Sequence, residues 1–434
     1  MTELLAGSAL AVYRGGGWLF SPFAGLLLDA RTRRGKEDVA RRGERLGRAS
    51  RARPAGKLVW VHAASVGETM SVLPLIAKLT TDGANVLLTT GTVTSAAMAA
   101  TRLPAGAFHQ FVPLDLAPFV RRFLDHWRPD AALFVESEIW PTTLSELDRR
   151  RIPRGLVNAR LSERSMRRWR IAPRVARSIF ARFALVAAQS EADATRFRAL
   201  GVPVPAVAGN IKFDCAPLKA DSIEEARLRE LIGNRPVFTA ASTHDGEEAI
   251  VAEAAHRLQA QIPDLLTIIA PRHPARGAEI AAMLRAAGHR IAVRSAGDPL
   301  SPETTIYLAD TLGELGLFYR LAQVSLVGGS LVPIGGHNPI EAAQLGTAIV
   351  HGPHVDNARD IFGRFDKDEA ALVVSDPESL AGALVTLFAD APSRQAMSDR
   401  ARSIVEAAQG AVDRTHELVV GRLLGRTGKP GARA

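Results

Sequence analysis

The sequence predicts an α/β protein built from two doubly wound (Rossmann-like) domains that face one cleft. The chain has 434 residues, which at about 150 residues per domain corresponds to two or three domains. Short apolar runs rich in β-branched residues alternate with amphipathic helical patterns, as is typical of parallel sheets covered by helices. This alternation stops at a proline-rich stretch, residues 201–209, and then restarts, so we expect one sheet on each side of it.

The N-terminal segment differs from the rest of the chain. Residues 4–28 are mostly apolar, and an arginine-rich stretch follows at residues 31–48. A cleaved signal peptide would have its positive charge before the apolar run rather than after it. We therefore expect residues 1–50 to be a membrane anchor, spanning or interfacial, that leaves the bulk of the protein on the cytoplasmic side. The alternative is a buried first helix followed by a solvated basic one.

Charge and cysteine content exclude several classes of protein. The net charge is +9, but residues 1–60 contribute +7 and residues 401–434 contribute +3, so the body of the chain is nearly neutral. No nucleic-acid-binding motif is present, and we expect no nucleic-acid partner. Cys215 is the single cysteine, which excludes an internal disulfide and favours a reducing compartment. The chain has neither a Gly-x-Ser-x-Gly elbow nor a Walker loop, and we expect no metal ion and no cofactor.

The apolar runs define the predicted strands of both halves. In the first half they are 58–63, 86–90, 131–135, 155–158 and 185–189. In the second half they are 236–241, 265–270, 305–309, 324–327, 348–350 and 371–374. Helical patterns follow at residues 118–127 and 190–200, and a helical stretch at 393–424 precedes a tail that we expect to be disordered. The predicted divisions are 1–50, 51–210, 211–410 and 411–434.

Acidic side chains follow two strands of the first half. Ligands of open parallel sheets bind at the carboxyl ends of the strands. Glu68 lies where a strand gives way to a helix, and there it suits either a general base or a first-turn helix carboxylate. Glu136 or Glu138 ends another buried strand and is predicted to face the same cleft. Lys212 lies at the hinge, where it can reach an anion or remain solvated.

A glycine-rich loop in the second half predicts an anion site. In Ser330–Glu341, Asn338 is placed as a helix N-cap, Pro339 as the first helical residue and Glu341 as the partner in a capping box. Glycines before a helix leave free backbone amides for a phosphate. The alternative is a well-capped helix after a glycine turn.

Two further strand ends carry charged residues. Arg272 follows Pro271 at the end of a strand and can pair with a phosphate or form a surface salt bridge. Glu314 joins a strand to a helix, where it can accept from ribose hydroxyls or complement the helix dipole. The five arginines between residues 167 and 177 form either a solvated face or a surface for phosphate groups of an acceptor or of anionic lipid.

Together these motifs resemble the 3-deoxy-D-manno-oct-2-ulosonic acid (Kdo) transferases of lipopolysaccharide synthesis. The residues that carry the resemblance are 65–68, 136–138 with 140–141, 158–162, 212–214, 242–244 with 246–248, 271–273, 313–314, 335–339 and 352–354. The similarity runs to about residue 410. Asp245 and the stretch 332–334 lie at positions where the family varies.

The resemblance implies a glycosyltransferase-B type fold and a location on the cytoplasmic side of the cell inner membrane. It also implies CMP-Kdo as the donor, the tetra-acylated lipid A precursor as the acceptor, and inversion without a metal ion. By the family's pattern Glu68 is the base, and Glu136 and Lys212 stabilise the transition state. The residues implied to bind CMP are Pro271, Arg272, Leu312, Gly313, Glu314, Asn338, Pro339, Ile340 and Glu341. The alternatives are another nucleotide-sugar transferase or epimerase of the same fold, and a non-catalytic membrane-associated binder.

Overall fold

The computed structural model describes residue 17 and residues 20–425, which form two compact units. The first comprises the described chain up to Cys215 together with the segment from Ala408 onward, and the second is Ala216–Ala407. This division differs from the predicted one, which ended the first domain at residue 210 and set residues 411–434 apart. The C-terminal segment returns to the first unit, where the carboxylate of Asp214 accepts from the backbone N–H groups of Gly410 and Val412.

The first unit contains a seven-stranded parallel sheet of order β3-β2-β1-β4-β5-β6-β7. Its strands are β1 (Leu58–His62), β2 (Asn85–Thr90), β3 (Ala107–Phe111), β4 (Ala131–Val135), β5 (Arg154–Ala159), β6 (Leu185–Ala188) and β7 (Ala206–Val207). The five predicted strands are confirmed with ends within one residue. The two that were not predicted, β3 and β7, form the edges of the sheet.

Helices cover both faces of this sheet. They are α1 (Ala24–Arg33), α2 (Arg42–Arg45), α3 (Val66–Thr81), α4 (Val93–Arg102), α5 (Ala117–Trp127), α6 (Pro141–Arg149), α7 (Glu163–Ile171), α8 (Pro173–Phe180) and α9 (Glu191–Ala199). Trp60 of β1 belongs to one buried apolar cluster, while its neighbours Val59 and Val61 belong to another. Successive strand residues point to opposite faces, so both faces are buried. This explains why the central strands are continuous apolar runs.

The second unit repeats the arrangement with sheet order β10-β11-β9-β8-β12-β13-β14, again parallel throughout. Its strands are β8 (Val237–Thr243), β9 (Leu266–Pro271), β10 (Ile291–Val293), β11 (Ile306–Leu308), β12 (Val324–Val327), β13 (Ala348–His351) and β14 (Ala371–Val373). Its helices are α10 (Ser222–Ile232), α11 (Glu247–Leu258), α12 (Gly277–Ala286), α13 (Leu315–Leu321), α14 (Ile340–Gln344), α15 (Arg359–Lys367), α16 (Pro377–Ala389) and α17 (Ala391–Ala407). Of these seven strands only β10, a three-residue strand at the edge of the sheet, was not predicted.

The C-terminal helical stretch is interrupted rather than continuous. The helix α17 ends before Gly410, whose φ of +86° is not helical. The chain then continues as α18 (Ala411–Val419) and a π turn (Val420–Leu424). The predicted tail after Gly425 lies outside the described residues.

The apolar run of the predicted anchor, residues 4–28, lies mostly outside the described residues. In its described part Leu28 is buried, whereas four apolar side chains are more than half exposed: Phe20, Phe23, Leu26 and Leu27. No helix among residue 17 and residues 20–425 is long and apolar enough to cross a membrane.

Candidate active site

The turn between β1 and α3 fixes the carboxylate of Glu68 in the first unit. The Ser65 side chain caps α3 by accepting from the Glu68 N–H at 3.3 Å, and its hydroxyl donates to Glu68 Oε1 at 2.8 Å. The Ala64 N–H donates to Glu68 Oε2 at 2.8 Å. The pKa of Glu68 is raised, chiefly by burial, and the charges of Glu136 and Glu138 raise it further, against those two hydrogen bonds. Glu68 therefore both caps the helix and has the raised pKa that suits a general base.

Glu136 occupies a left-handed backbone conformation at the end of β4. Its φ is +58°, and its N–H donates to Val157 O at 3.0 Å. A non-glycine residue in this region costs on the order of 1–3 kcal/mol and is common at functional sites. Its Oε1 lies 2.8 Å from Lys212 Nζ. The structure thus brings together two of the predicted site residues as an ion pair.

Lys212 is held by its own short 3-10 helix, Ile211–Asp214. The Asn210 side chain accepts from the Lys212 N–H at 3.0 Å, and the Asn158 side chain accepts from the Ile211 N–H at 3.1 Å. The carboxylate of Asp214 caps α18 from the other end of this helix. Strand β5 and the C-terminal helix therefore both fix the position of the lysine backbone.

Glu138 completes the group in the first unit. Burial acts to raise its pKa, but the neighbouring His62 ring, 3.6 Å away, and the hydrogen bond from the Trp140 indole outweigh burial and lower the pKa. Its charge in turn raises the pKa of Glu68. Glu68, Glu136, Glu138 and Lys212 are accordingly one electrostatic cluster. From the strand ends the sequence predicted only that the carboxylates face one cleft, and it placed Lys212 at the hinge.

In the second unit a buried carboxylate that the sequence analysis missed organises the glycine loop. Glu247, the first residue of α11, is fully buried and accepts from four backbone N–H groups. These are Gly329 at 2.6 Å, Ser330 at 3.0 Å, and Leu331 and His244 at 2.9 Å each. The sequence analysis counted residues 246–248 among those that carry the family resemblance but gave Glu247 no role. It fixes the start of the loop that leads to α14.

Charged and imidazole groups gather beside that loop. His337 and His244 stack, with Nε2 atoms 2.8 Å apart. Burial, then the charge of Arg272, lowers the pKa of His337 to about 4, so it is neutral near pH 7. Burial raises the pKa of Glu341 to about 7, against the opposing charge of Arg272. Arg272, whose side chain is exposed, therefore acts on both ends of the segment 337–341.

The helix after this loop differs from the prediction. It begins at Ile340 and has only five residues, its N-cap is Pro339, and Glu341 forms no capping box. Asn338 does accept from the Ile340 N–H, at 3.2 Å. A helix this short has a small dipole because few peptide units align. The predicted free amides are also occupied, since the N–H groups of Gly335 and Gly336 donate to Gly329 O and that of His337 donates to Gly328 O. Arg272 is the cation that the structure places beside this segment.

The remaining predicted binding residues lie on the loop before α13. Leu312 is 82% exposed, and Gly313 has a φ of +87°. The Glu314 carboxylate accepts hydrogen bonds from Nε and Nη2 of Arg294 and from the Thr311 hydroxyl. These bonds lower the pKa of Glu314. Glu314 contacts Arg294 rather than the Arg272–Glu341 group.

The raised pKa of Glu341 predicts a pH-dependent stability. A carboxyl group whose pKa is about 7 when folded and near 4.5 when unfolded binds more protons in the folded state. The free energy of unfolding should therefore fall as the pH rises from about 4.5 through about 7. Urea denaturation at pH 5 and pH 8 checks this, because Glu341→Gln should lose that part of the pH dependence. An equal pH dependence in both proteins would contradict it.

No group of three or more His, Cys, Asp or Glu side chains suited to hold a metal ion occurs in the described part of the chain.

Comparison with known proteins assigns the family. Residues 40–215 match the family model described as 3-deoxy-D-manno-octulosonic-acid transferase (kdotransferase). The 3-deoxy-D-manno-octulosonic acid transferase of Bordetella pertussis is 38% identical over 390 residues, 86% of this chain and 89% of that protein. The chain belongs to the Kdo transferase family. The enzyme of the same name from Haemophilus influenzae is 32% identical over 403 residues, 91% of this chain and 93% of that protein.

Solved structures support the fold of this Kdo transferase. S. aureus MnaA in complex with UDP gives a TM-score of 0.60 at 14% identity, covering 87% of this chain and all of that one. At this identity the likeness concerns the fold alone. It confirms two parallel-sheet α/β domains of the glycosyltransferase-B type, and the family confirms that the protein is a glycosyltransferase that acts on Kdo.

Proposed function

We propose that this chain transfers Kdo from CMP-Kdo to the tetra-acylated lipid A precursor, with inversion and without a metal ion. The observation that carries the proposal is the Glu68 carboxylate, with its raised pKa, in the same cluster as the Glu136–Lys212 ion pair. A Kdo transferase needs a base for the acceptor hydroxyl and a compensating charge for the leaving phosphate, and this cluster contains both types of group.

In the proposed step, Glu68 takes the proton of the acceptor hydroxyl as its oxygen attacks the anomeric carbon of Kdo. The bond from that carbon to the CMP phosphate breaks on the opposite face, and CMP leaves with the electron pair. Lys212 stabilises the developing negative charge, and Glu136 holds the ammonium group. Arg272 and the segment 338–341 bind the CMP phosphate, and Glu314 binds the ribose.

The test is transfer in detergent from CMP-Kdo to the lipid A precursor, with a chelator present and lipid products resolved by mass. We expect a chelator-resistant product heavier by one or more Kdo units. CMP binding without a lipid product would contradict the lipid A precursor as the acceptor. It would favour the alternative that the chain catalyses another nucleotide-sugar reaction of this fold. Absence of CMP binding would contradict the donor. Product that disappears with chelator would contradict the metal-independent step.

We further propose that the N-terminal segment attaches the protein to the cytoplasmic face of the inner membrane. The exposed apolar side chains of Phe20, Phe23, Leu26 and Leu27 precede the arginines of α1, and apolar burial with anionic-lipid attraction acts jointly at interfaces. The exposed arginines between residues 167 and 177, beside Ile171 at 85% exposure, provide a surface for the acceptor's phosphates or for anionic lipid.

Replacing Leu26 and Leu27 by Asp should lower co-sedimentation with vesicles that contain anionic lipid. The reason is that both side chains are more than half exposed on α1 and would carry their apolar surface into the interface. Ile223→Asp is the matched control, since this residue of α10 is 81% exposed but lies in the second unit. Equal loss in both variants, or no loss in either, would contradict attachment through α1.

A further inference from the structure

His244 and His337 form a side-chain contact in the second unit that the proposed reaction does not use. Their rings stack with an interplanar angle of 8°, and their Nε2 atoms lie 2.8 Å apart. The backbone of both residues is fixed, since the His244 N–H donates to Glu247 Oε2 and the His337 N–H donates to Gly328 O. The two rings are therefore held by the same contacts that shape the glycine loop.

One hydrogen must lie between the two Nε2 atoms, because two hydrogens would collide and two lone pairs would repel each other. The ring that accepts this hydrogen is neutral and carries its own hydrogen on Nδ1. The ring that donates has a bare Nδ1 until it takes up a second proton. The pair therefore has one Nδ1–H donor whichever ring accepts, and it has two such donors once it is protonated.

Both Nδ1 atoms are accessible to a ligand. Neither forms a hydrogen bond within the described part of the chain, and neither is buried away from solvent. The Cδ2 edges of the rings face Gly329, because a Cβ there would lie 3.2 Å from His337 Cδ2 and 3.4 Å from His244 Cδ2. Nδ1 lies on the opposite side of each ring. The N–H donors of the pair are thus available on the side away from that backbone.

The charge around the pair favours an anion as the ligand. The charged and titratable groups that act on the two rings are Arg272, His273, Arg276 and Glu247. Arg276 is paired with two carboxylates, whereas the exposed Arg272 forms no ion pair with any residue that the structure describes. Burial and then the charge of Arg272 lower the pKa of His337 to about 4. A bound anion would offset that charge.

We propose that the His244–His337 pair binds the carboxylate of the Kdo unit in CMP-Kdo. Kdo is a 2-ulosonic acid, so its anomeric carbon bears a carboxylate as well as the phosphate of the nucleotide. Two anionic groups on one carbon require two neighbouring anion-binding groups. The phosphate is assigned above to Arg272 and to residues 338–341, which directly follow His337 in the chain. The inference rests on the proposed transfer from CMP-Kdo and adds the residues that recognise the sugar acid.

This assignment implies selectivity for the sugar part of the donor. A nucleotide sugar without a carboxylate would leave the Nδ1–H donor unpaired and the charge of Arg272 only partly offset. A site built to hydrogen-bond one group of its substrate rejects an analogue that lacks that group, because the polar groups of the site are left unpaired. The pair should therefore affect binding of CMP-Kdo and not binding of CMP.

The test is equilibrium titration of the full chain with CMP and with CMP-Kdo, in the absence of acceptor. The double variant His244→Leu/His337→Leu should raise Kd for CMP-Kdo by about 10- to 100-fold, the loss expected for a hydrogen bond to a charged group. Its Kd for CMP should not change. Each single variant should have a smaller effect, because the remaining ring can still carry a hydrogen on Nδ1. His256→Leu is the control, because His256 is a histidine of the same unit whose ring lies beside His289.

A second ligand tests the carboxylate directly. The carboxamide of CMP-Kdo, in which an uncharged amide replaces the carboxylate, should bind the native chain about 10- to 100-fold more weakly than CMP-Kdo does. The double variant should bind the carboxamide and CMP-Kdo with similar affinity, because it lacks the groups that distinguish them. Thermal unfolding is measured for each variant. If the double variant does not fold, the comparison of the two ligands on the native chain decides by itself.

Equal binding of CMP-Kdo by the native chain and the double variant would overturn this inference and leave the proposed function standing. Equal weakening of CMP and CMP-Kdo would also overturn it, because the pair would then act on the nucleotide. Equal affinity of the native chain for CMP-Kdo and its carboxamide would overturn it as well. If the native chain does not bind CMP-Kdo, the proposed function fails and the inference fails with it.

Discussion

Glu68→Gln is expected to lower kcat for Kdo transfer by about 10²- to 10⁴-fold, the usual contribution of a general base. Glutamine has nearly the same shape but cannot take the proton of the acceptor hydroxyl. It keeps a carbonyl oxygen for the cap of α3, where Glu68 now accepts from Ala64 and Ser65. The variant should therefore fold and bind CMP, and the defect should appear in kcat.

The matched control for this prediction is Glu163→Gln. Glu163 also lies in the first turn of a helix capped by a serine, but its side chain is 74% exposed and outside the cluster. Transfer rates of both variants, with thermal unfolding as a check on folding, separate loss of a base from loss of a helix-end charge. Native-like transfer by Glu68→Gln would show that Glu68 is a capping residue and that another group accepts the proton.

The raised pKa of Glu68 adds a prediction for the native enzyme. Glu68 must be ionised to accept a proton, so kcat/KM should fall as the pH drops through its raised pKa. The charges of Glu136 and Glu138 contribute to that increase. In Glu138→Gln the acid limb of the pH profile should therefore move to lower pH. An acid limb that stays in place would contradict the electrostatic coupling between the two carboxylates.

Much of the fold could be predicted because the central strands are buried on both faces. Runs such as residues 58–62 and 131–135 are entirely buried, and such strands are continuous apolar segments in the sequence. The unpredicted strands lie at edges or are very short. β3 is interrupted by the adjacent polar residues His109 and Gln110, and β10 has three residues, so neither produces a clear apolar run.

The candidate site residues could be predicted where they lie next to a strand end. They were harder to predict where their position depends on contacts between residues far apart in the sequence. Glu68, Glu136 and Lys212 follow elements visible in the sequence, and the structure places them in one cluster. The return of the C-terminal helix to Asp214 joins residues almost 200 positions apart, which no local pattern encodes. The arrangement of Glu314 likewise depends on Arg294, a residue that follows an unpredicted edge strand.

Glu247→Gln is expected to destabilise the second unit by about 3–5 kcal/mol, the usual cost of breaking a buried charged network. The carboxylate uses both oxygens. Oε2 accepts from Gly329 and His244, and Oε1 accepts from Ser330 and Leu331. In glutamine one oxygen becomes an NH₂ group, which would face two N–H donors and leave them unsatisfied in a fully buried position.

Glu247→Gln should also weaken CMP binding, because three of the four N–H groups, those of Gly329, Ser330 and Leu331, lie at the start of the loop that leads to Asn338 and Glu341. Calorimetric unfolding should show a lower transition temperature, and titration with CMP should show weaker binding at a temperature where the variant is still folded. Glu253→Gln is the control: the residue lies on the same helix, is 49% exposed and forms a surface ion pair with Arg257, and surface changes of this kind stay within about 0.5 kcal/mol. A stable Glu247→Gln with native CMP affinity would mean that the loop keeps its conformation without the carboxylate. The glycines at 329, 335 and 336, all with positive φ, would then be sufficient to shape it.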